Sequence, residues 1–154
     1  HNFIHGEEKD ENIFNLLNEV FSKLNDYTLY PIPYTLIYHY FLWNFLSLLG
    51  YHFAFKKCAG CGGKLIPDGL YFSSKEGGVI CENCASPELT QKISADVVKI
   101  LRLILSKDWQ ILSKLKIEPV SQKLLKEISE NYYLYLLSVH SSAYFSAQKF
   151  DNVK

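Results

Sequence analysis

Methionine is absent from the sequence, which begins at His1, and the formal charges sum to zero at pH 7. Because translation starts with methionine, we expect the chain to be part of a longer polypeptide whose beginning is missing. Zero net charge is not typical of a chain that binds nucleic acid. The acidic opening, with Glu7, Glu8 and Asp10, excludes a secretory signal peptide, which is basic and then apolar. We therefore expect a cytoplasmic protein.

Acidic and basic residues are unevenly distributed along the chain. Residues 1–26 contain six acidic residues against two lysines, whereas residues 99–126 contain seven basic residues against Asp108 and Glu118. Any electrostatic binding surface is therefore expected in the second half. Since 48% of the 154 residues are hydrophobic, the chain can fold as one domain around a single core.

No charged residue occurs between positions 27 and 55, and about 20 consecutive apolar residues would cross a bilayer. Pro31 and Pro33 shorten this stretch, and polar side chains such as His39 interrupt the remainder. Its tyrosines are scattered and not gathered into two interfacial belts. The stretch therefore predicts a buried core helix at residues 34–50 and no membrane contact, with His39 as a hydrogen-bonded core histidine.

Apolar periodicity and capping residues predict four further helices, which are expected at residues 12–25, 86–106, 108–115 and 119–144 or beyond. The third helix of the chain is predicted to start at Ser86-Pro87-Glu88, because serine caps a helix and proline fits its first turn. Between the helices, residues 70–72 and 79–80 flank a turn-prone segment and predict a β-hairpin. The expected fold class is all-α, a helical bundle with one short inserted hairpin.

The four cysteines form two pairs with two residues between the members of each pair: Cys58 and Cys61, then Cys81 and Cys84. Two such turns supply the four thiolates of a closed tetrahedral zinc site. Gly62 allows the positive backbone angle that such a turn often needs. Two disulfides or a thioredoxin-like redox pair are alternatives. Nothing marks an oxidising compartment, however, and this spacing makes poor disulfides.

The sequence therefore predicts one Zn²⁺ ion, and the ion is structural because four thiolates leave no open coordination position. The hairpin between the two cysteine pairs returns the second pair to the first, as in a zinc ribbon. We expect an inserted ribbon at residues 58–84, with helical parts of one domain at residues 1–57 and 85–154.

Basic residues are expected to form a binding surface for DNA or a protein partner. Lys92, Lys99 and Arg102 share one face of the predicted third helix, and Lys114 and Lys116 extend the basic region. An ordinary solvated face is the alternative. An apolar groove at the edge of this helix, framed by Lys92, Lys99 and Arg102, would suit an acidic peptide with an apolar end.

Tyrosines at positions 132, 133 and 135 could stack on bases, but their helical spacing favours core and rim positions. No phosphate loop, paired metal-binding histidines or activated nucleophile is present, so we expect no enzymatic activity.

Four segments and one further cysteine carry a resemblance in their order along the chain. They are the helix exit at 48–51, the first cysteine turn at 57–62, the YFS strand at 70–73, the GGVIC return at 77–81, and Cys84. Together they resemble the carboxy-terminal domain of RecO, the bacterial recombination mediator and DNA repair family. The resemblance covers nearly the whole chain but excludes the family's amino-terminal OB-fold domain. Residues 139–145 depart from the basic, serine-containing segment that closes many members.

The resemblance implies a DNA repair and recombination mediator domain that binds single- and double-stranded DNA. It also implies two protein partners, RecR and the acidic tail of single-stranded DNA-binding protein. The alternative is a zinc-ribbon scaffold that binds only proteins and makes no DNA contact. A hydrolase subunit whose catalytic domain is missing remains a third possibility, which a catalytic motif upstream of His1 would support.

Overall fold

The computed structural model describes residues 7–25 and 34–151, with side chains for residues 11–25 and 34–141. The described elements are α1 (Glu7–Asn25), α2 (Tyr34–Leu48), β1 (Leu70–Ser73), β2 (Gly78–Cys81), β3 (Thr90–Lys92), α3 (Ala95–Leu105), α4 (Trp109–Leu112) and α5 (Pro119–Asp151). Pro31 and Pro33 lie outside the described residues, as do the acidic side chains at positions 7–10. The side chains of residues 142–145, where the sequence departs from the RecO pattern, also lie outside them. No helix in the described part is long and apolar enough to span a membrane.

Helix α2 is the central element of the hydrophobic core, which confirms the predicted buried helix. Tyr40 and Trp43 are fully buried within it. The helix ends at Leu48 and is followed by a turn at Gly50, which has a φ of +99°. The prediction that His39 is hydrogen-bonded is wrong for its Nδ1 atom, because this buried atom has no partner among the described residues. Burial, together with the positive charge of Lys126, lowers the pKa of His39 to about 4.

An aromatic cluster around Trp43 joins the helices to the sheet. The Trp43 indole stacks on Tyr132 of α5, with ring centroids 5.4 Å apart, and meets Phe53, Phe55 and Phe72 edge-on. These contacts come from α2, α5, β1 and the segment before the first cysteine. The sheet therefore contributes to the same core as the helices.

The predicted hairpin is confirmed by β1 and β2, which pair antiparallel. Gly78 at the start of β2 allows the segment around Ala54 to approach the strand closely, since a Cβ at Gly78 would lie 2.6 Å from the Ala54 carbonyl oxygen. The backbone N–H of Val79 donates to that oxygen at 2.9 Å. This close contact fixes the chain that leads into the first cysteine turn.

A third strand makes the all-α prediction only partly correct. The strand β3 pairs with β1, so the sheet order is β2-β1-β3. The sequence predicted helix here because Ser86 and Pro87 look like a helix start. In the structure, Ser86 instead accepts hydrogen bonds in a turn from Leu89 N–H and the Thr90 hydroxyl.

Helix α3 is capped by Ser94, whose side chain accepts from the backbone N–H of Val97. The short helix is present as α4 and is capped by Asp108, and the long one is present as α5. On α5, Tyr132 is buried and Tyr133 is 45% exposed. The prediction that these tyrosines lie in the core and at its rim is confirmed.

Candidate metal centre

The four cysteine sulfurs form one compact cluster, in which the ligand atoms all lie within 4.8 Å of one another. The Sγ atom of Cys81 lies 3.7 Å from that of Cys58 and 3.9 Å from that of Cys61. A tetrahedron with zinc–sulfur bonds of about 2.3 Å has sulfur–sulfur edges of about 3.8 Å. Disulfide-bonded sulfurs would lie about 2 Å apart, and all four cysteines are free. The residues therefore fit a tetrahedral metal ion.

Three glycines shape the first cysteine turn. The N–H of Gly62 donates to the carbonyl of Cys58 at 2.8 Å, and its φ of +72° agrees with the predicted positive angle. Gly60 leaves room for the second pair, because a Cβ there would lie 3.2 Å from the Cβ of Cys84. The N–H of Cys58 closes the turn on the carbonyl of Gly63 at 2.9 Å.

The second cysteine pair is supplied by the end of the hairpin. Cys81 is the last residue of β2, and Cys84 ends a single 3₁₀ turn, Glu82–Cys84. The N–H of Ala59 donates to the Val79 carbonyl at 2.8 Å and holds the first turn against β2. The N–H of Cys81 also donates to the Cys58 sulfur at 3.3 Å. The hairpin therefore brings the two pairs together, as the sequence predicted.

Hydrogen bonding within the cluster shifts the pKa values of two of its thiols in opposite directions. Desolvation opposes ionisation of Cys58, but backbone N–H groups of Cys61, Cys81 and Gly60 donate to its sulfur and lower its pKa to about 6. Hydrogen bonds with the other three cysteines raise the pKa of Cys84 to about 12. One thiolate is therefore accommodated easily, and a bound divalent cation would favour ionisation of the others. Soft sulfur donors of this kind suit Zn²⁺.

The basic residues predicted as a binding surface are spread over several elements. Lys92 lies on β3, opposite Tyr71 of β1, so the prediction that it shares a helix face with Lys99 is wrong. Lys99 pairs with Asp96 at 3.3 Å. The Arg102 guanidinium donates to the backbone carbonyl of Phe55 through both Nε and Nη2.

Lys99 and Lys116 lie together at a groove of about 300 Å³ between α3 and the start of α5. We call this the α3–α5 groove. Leu103 and Leu115 contribute to its lining. Lys114 lines a shallower neighbouring depression that shares Leu115. The structure thus brings Lys99 together with Lys116 in this groove and with Arg102 in a second depression.

Three lysines near the first cysteine turn were not selected from the sequence. Lys56, Lys57 and Lys64 are all exposed, and Lys57 pairs with Lys64 in an isolated antiparallel bridge. We call these residues the basic turn. Their signal in the sequence is the absence of any aspartate or glutamate between positions 27 and 67.

Comparisons with known proteins agree on one family. The family model described as "Recombination protein O C terminal" matches residues 1–142. A protein named DNA repair protein RecO from Dehalococcoides mccartyi strain 195 is 33% identical over 116 residues, covering 75% of this chain and 43% of that protein. Its counterpart from strain BAV1 is 35% identical over 89 residues, covering 58% and 34%.

A protein of the same name from Alkaliphilus metalliredigens is 33% identical over 78 residues, covering 50% of this chain and 31% of the relative. The chain thus spans less than half the length of the curated relatives that it matches. No solved structure is significantly similar.

Proposed function

Because the chain belongs to the family of the recombination protein O carboxy-terminal domain, we propose that it is a zinc-binding mediator domain of DNA repair and recombination. It acts by binding DNA and protein partners, without catalysis. The observation that carries the metal part is the sulfur cluster, with separations of 3.7 and 3.9 Å that suit tetrahedral zinc. The RecO relatives support the role in DNA repair.

Zinc would have a structural role in this domain. Four thiolates complete the coordination of the ion, so no position is left for water or substrate. Cys58, Cys61, Cys81 and Cys84 would hold the first turn against the end of β2. Phe55, which precedes this turn, is buried beside Trp43. The metal would therefore stabilise the sheet and, through Phe55, one side of the hydrophobic core.

DNA binding by this domain would be electrostatic and indifferent to base sequence. Lysine and arginine side chains neutralise phosphates of single- or double-stranded DNA, and counterion release makes such binding sensitive to salt. The described residues include no helix with a row of base-reading side chains on an exposed basic face. We therefore propose that the domain recognises the sugar–phosphate backbone of DNA and not its bases.

A protein partner would use the α3–α5 groove. Its lining includes Ile100, Leu103, Leu115 and Ile117, with Lys99 and Lys116 beside them. Asp96 and Glu118 also lie there, so the charges balance and the apolar lining would supply most of the affinity. A short acidic peptide with an apolar end, such as the tail of single-stranded DNA-binding protein, suits this lining.

This groove differs in place from the one expected on α3. Val97, Leu101 and Ile104 are buried in the core and are not available to a peptide. Lys99 and Arg102 both line a separate depression beside Leu65 and Leu70, which corresponds to the expected groove without Lys92. RecR remains a proposed partner through the family alone.

Binding measurements on the zinc-loaded chain test the proposal. Labelled single- and double-stranded DNA and a labelled tail peptide are titrated separately, and fluorescence anisotropy is recorded over a range of salt concentrations. We expect DNA binding that weakens steeply with salt and does not depend on base sequence. Peptide binding without DNA binding at low salt would favour the alternative, a scaffold for protein partners only. Binding of neither would contradict both functions.

A further inference from the structure

The basic turn stands at the exposed edge of the metal centre. Lys56, Lys57 and Lys64 are exposed, and so are Cys61 and Gly62 between them. Lys57 and Lys64 are directly opposite each other in an antiparallel bridge, which places their Cα atoms about 5 Å apart. Two lysine side chains therefore start from one short, closed piece of backbone.

Like charges directly opposite one another are unfavourable between paired strands, so an anion that contacts both lysines would relieve their repulsion. Among the described residues, none of the three lysines forms a salt bridge with a carboxylate. None of them donates a side-chain hydrogen bond to a cysteine sulfur. The sulfur of Cys58 accepts hydrogen bonds from backbone N–H groups and from the Cys61 thiol, and it donates to the sulfur of Cys81.

Several of the other basic residues already have partners within the chain. Lys99 pairs with Asp96, Lys123 with Glu127 at 3.9 Å, and Lys126 with Glu130 at 3.7 Å. Arg102 donates to the Phe55 carbonyl. An external anion that approaches the metal turn meets lysines without such competition.

We propose that the basic turn contacts the phosphate backbone of nucleic acid, with Lys57 and Lys64 as the central pair. This inference rests on the proposed DNA binding and places its contact at the metal turn, not on α3. Gly62 leaves open space, because a Cβ there would meet nothing within 4 Å, so a phosphate can approach the backbone closely at this position. A bound metal would hold the closed turn and thereby the separation of the two lysine Cα atoms.

The test compares two double variants that remove the same charge. Lys57→Gln/Lys64→Gln changes the basic turn, and Lys123→Gln/Lys126→Gln changes two ion-paired lysines on α5. Anisotropy of a labelled oligodeoxythymidine gives the binding constant at each salt concentration, and zinc content is measured for every protein. We expect the first variant to flatten the plot of log K against log salt by about two units, one for each lysine. The second variant should retain the wild-type slope.

The outcomes distinguish failure of the assignment to the basic turn from failure of the proposed DNA binding. Wild-type binding with an unchanged slope in Lys57→Gln/Lys64→Gln would overturn the assignment to the basic turn. So would a loss of DNA affinity that follows a loss of zinc, because the lysines would then serve the metal centre. Absence of wild-type binding at low salt would instead overturn the proposed DNA binding itself.

Discussion

Arg102 on α3 donates two hydrogen bonds, from Nε and Nη2, to the backbone carbonyl oxygen of Phe55. Phe55 lies three residues before the first cysteine and packs against Trp43 in the core. The guanidinium group thus ties α3 to the chain that enters the metal turn. This contact gives Arg102 a structural role that its basic character alone did not indicate.

The first prediction concerns this contact. Arg102→Ala should lower the free energy of unfolding of the zinc-loaded chain by about 1–3 kcal/mol, because a carbonyl of a buried residue loses its donors. Lys99→Ala on the same helix is the matched control, and it should change stability by less than about 0.5 kcal/mol, since its ion pair is exposed. Urea denaturation measures both. Equal effects of the two substitutions would contradict the structural role of Arg102.

The second prediction concerns the metal. Protein purified under reducing conditions should contain about one zinc ion per chain, and Cys81→Ser or a strong chelator should remove it with loss of tertiary structure. A four-thiolate site contributes to folding directly. Elemental analysis measures the ion, and near-ultraviolet circular dichroism follows the Trp43 cluster. Added zinc should restore the wild-type spectrum but not that of Cys81→Ser. Metal-free protein with a native spectrum would count against the site.

The third prediction concerns the buried imidazole of His39. Its pKa of about 4 in the folded chain lies below the value of about 6.5 expected after unfolding. Between these values the unfolded chain binds a proton that the folded chain does not, so the free energy of unfolding falls as pH falls. The contribution is complete above about pH 6.5, and up to about 3 kcal/mol is lost by pH 4.

A leucine at this position isolates the effect, since thiol protonation also weakens the fold in acid. His39→Leu should reduce the slope of unfolding free energy against pH between 6.5 and 5. His52→Leu, the same change at an exposed histidine, should leave the slope as in wild type. Parallel pH curves for wild type and His39→Leu would show that the imidazole does not couple folding to protons.

The fourth prediction concerns the hydrogen bond from the Trp43 indole N–H to the Ser129 hydroxyl, which is 3.0 Å long and buried. Ser129→Ala leaves this donor unpaired and should cost about 1–3 kcal/mol in unfolding free energy. Ser138→Ala, on the same helix and exposed, gains the same helix propensity and should cost little. Thermal denaturation compares the two. A stability of Ser129→Ala equal to that of Ser138→Ala would contradict the importance of this bond.

Local signals predicted much of this fold, and long-range contacts account for most of what they missed. The paired cysteine spacing and the hairpin residues sufficed to predict the sulfur cluster. The capping signal at Ser86 was misleading because Ser94 offers an equally good cap, and only the pairing of β3 with β1 decides between them. The bond between Arg102 and Phe55 spans 47 positions, so no periodicity along the chain could reveal it.

Charge counting was misleading for a related reason. Residues 99–126 are rich in basic residues, but acidic neighbours one helical turn away pair with Lys99, Lys123 and Lys126. The basic turn has fewer lysines, and Asp68, the acidic residue nearest to it in sequence, forms no ion pair with Lys64. Which lysines remain available to an external anion therefore depends on local pairing and not on the total count.

The last prediction concerns the α3–α5 groove. Leu115 is 39% exposed and is shared by the groove and the neighbouring depression. A labelled peptide with acidic residues and an apolar end should bind the zinc-loaded chain in the micromolar range at low salt. Leu115→Ser should weaken this binding by about tenfold or more, because the peptide loses roughly 1.5 kcal/mol of apolar contact. Fluorescence anisotropy measures the affinity.

Val120→Ser is the matched control, since Val120 is 78% exposed on α5 and does not line the groove. Its peptide affinity should equal that of wild type. Arg102→Ala should also bind the peptide normally once it is folded and loaded with zinc, because Arg102 lines a different depression. If Leu115→Ser binds as wild type does while Arg102→Ala loses binding, the peptide occupies the depression beside Leu65 and Leu70. The α3–α5 groove would then be an ordinary surface feature.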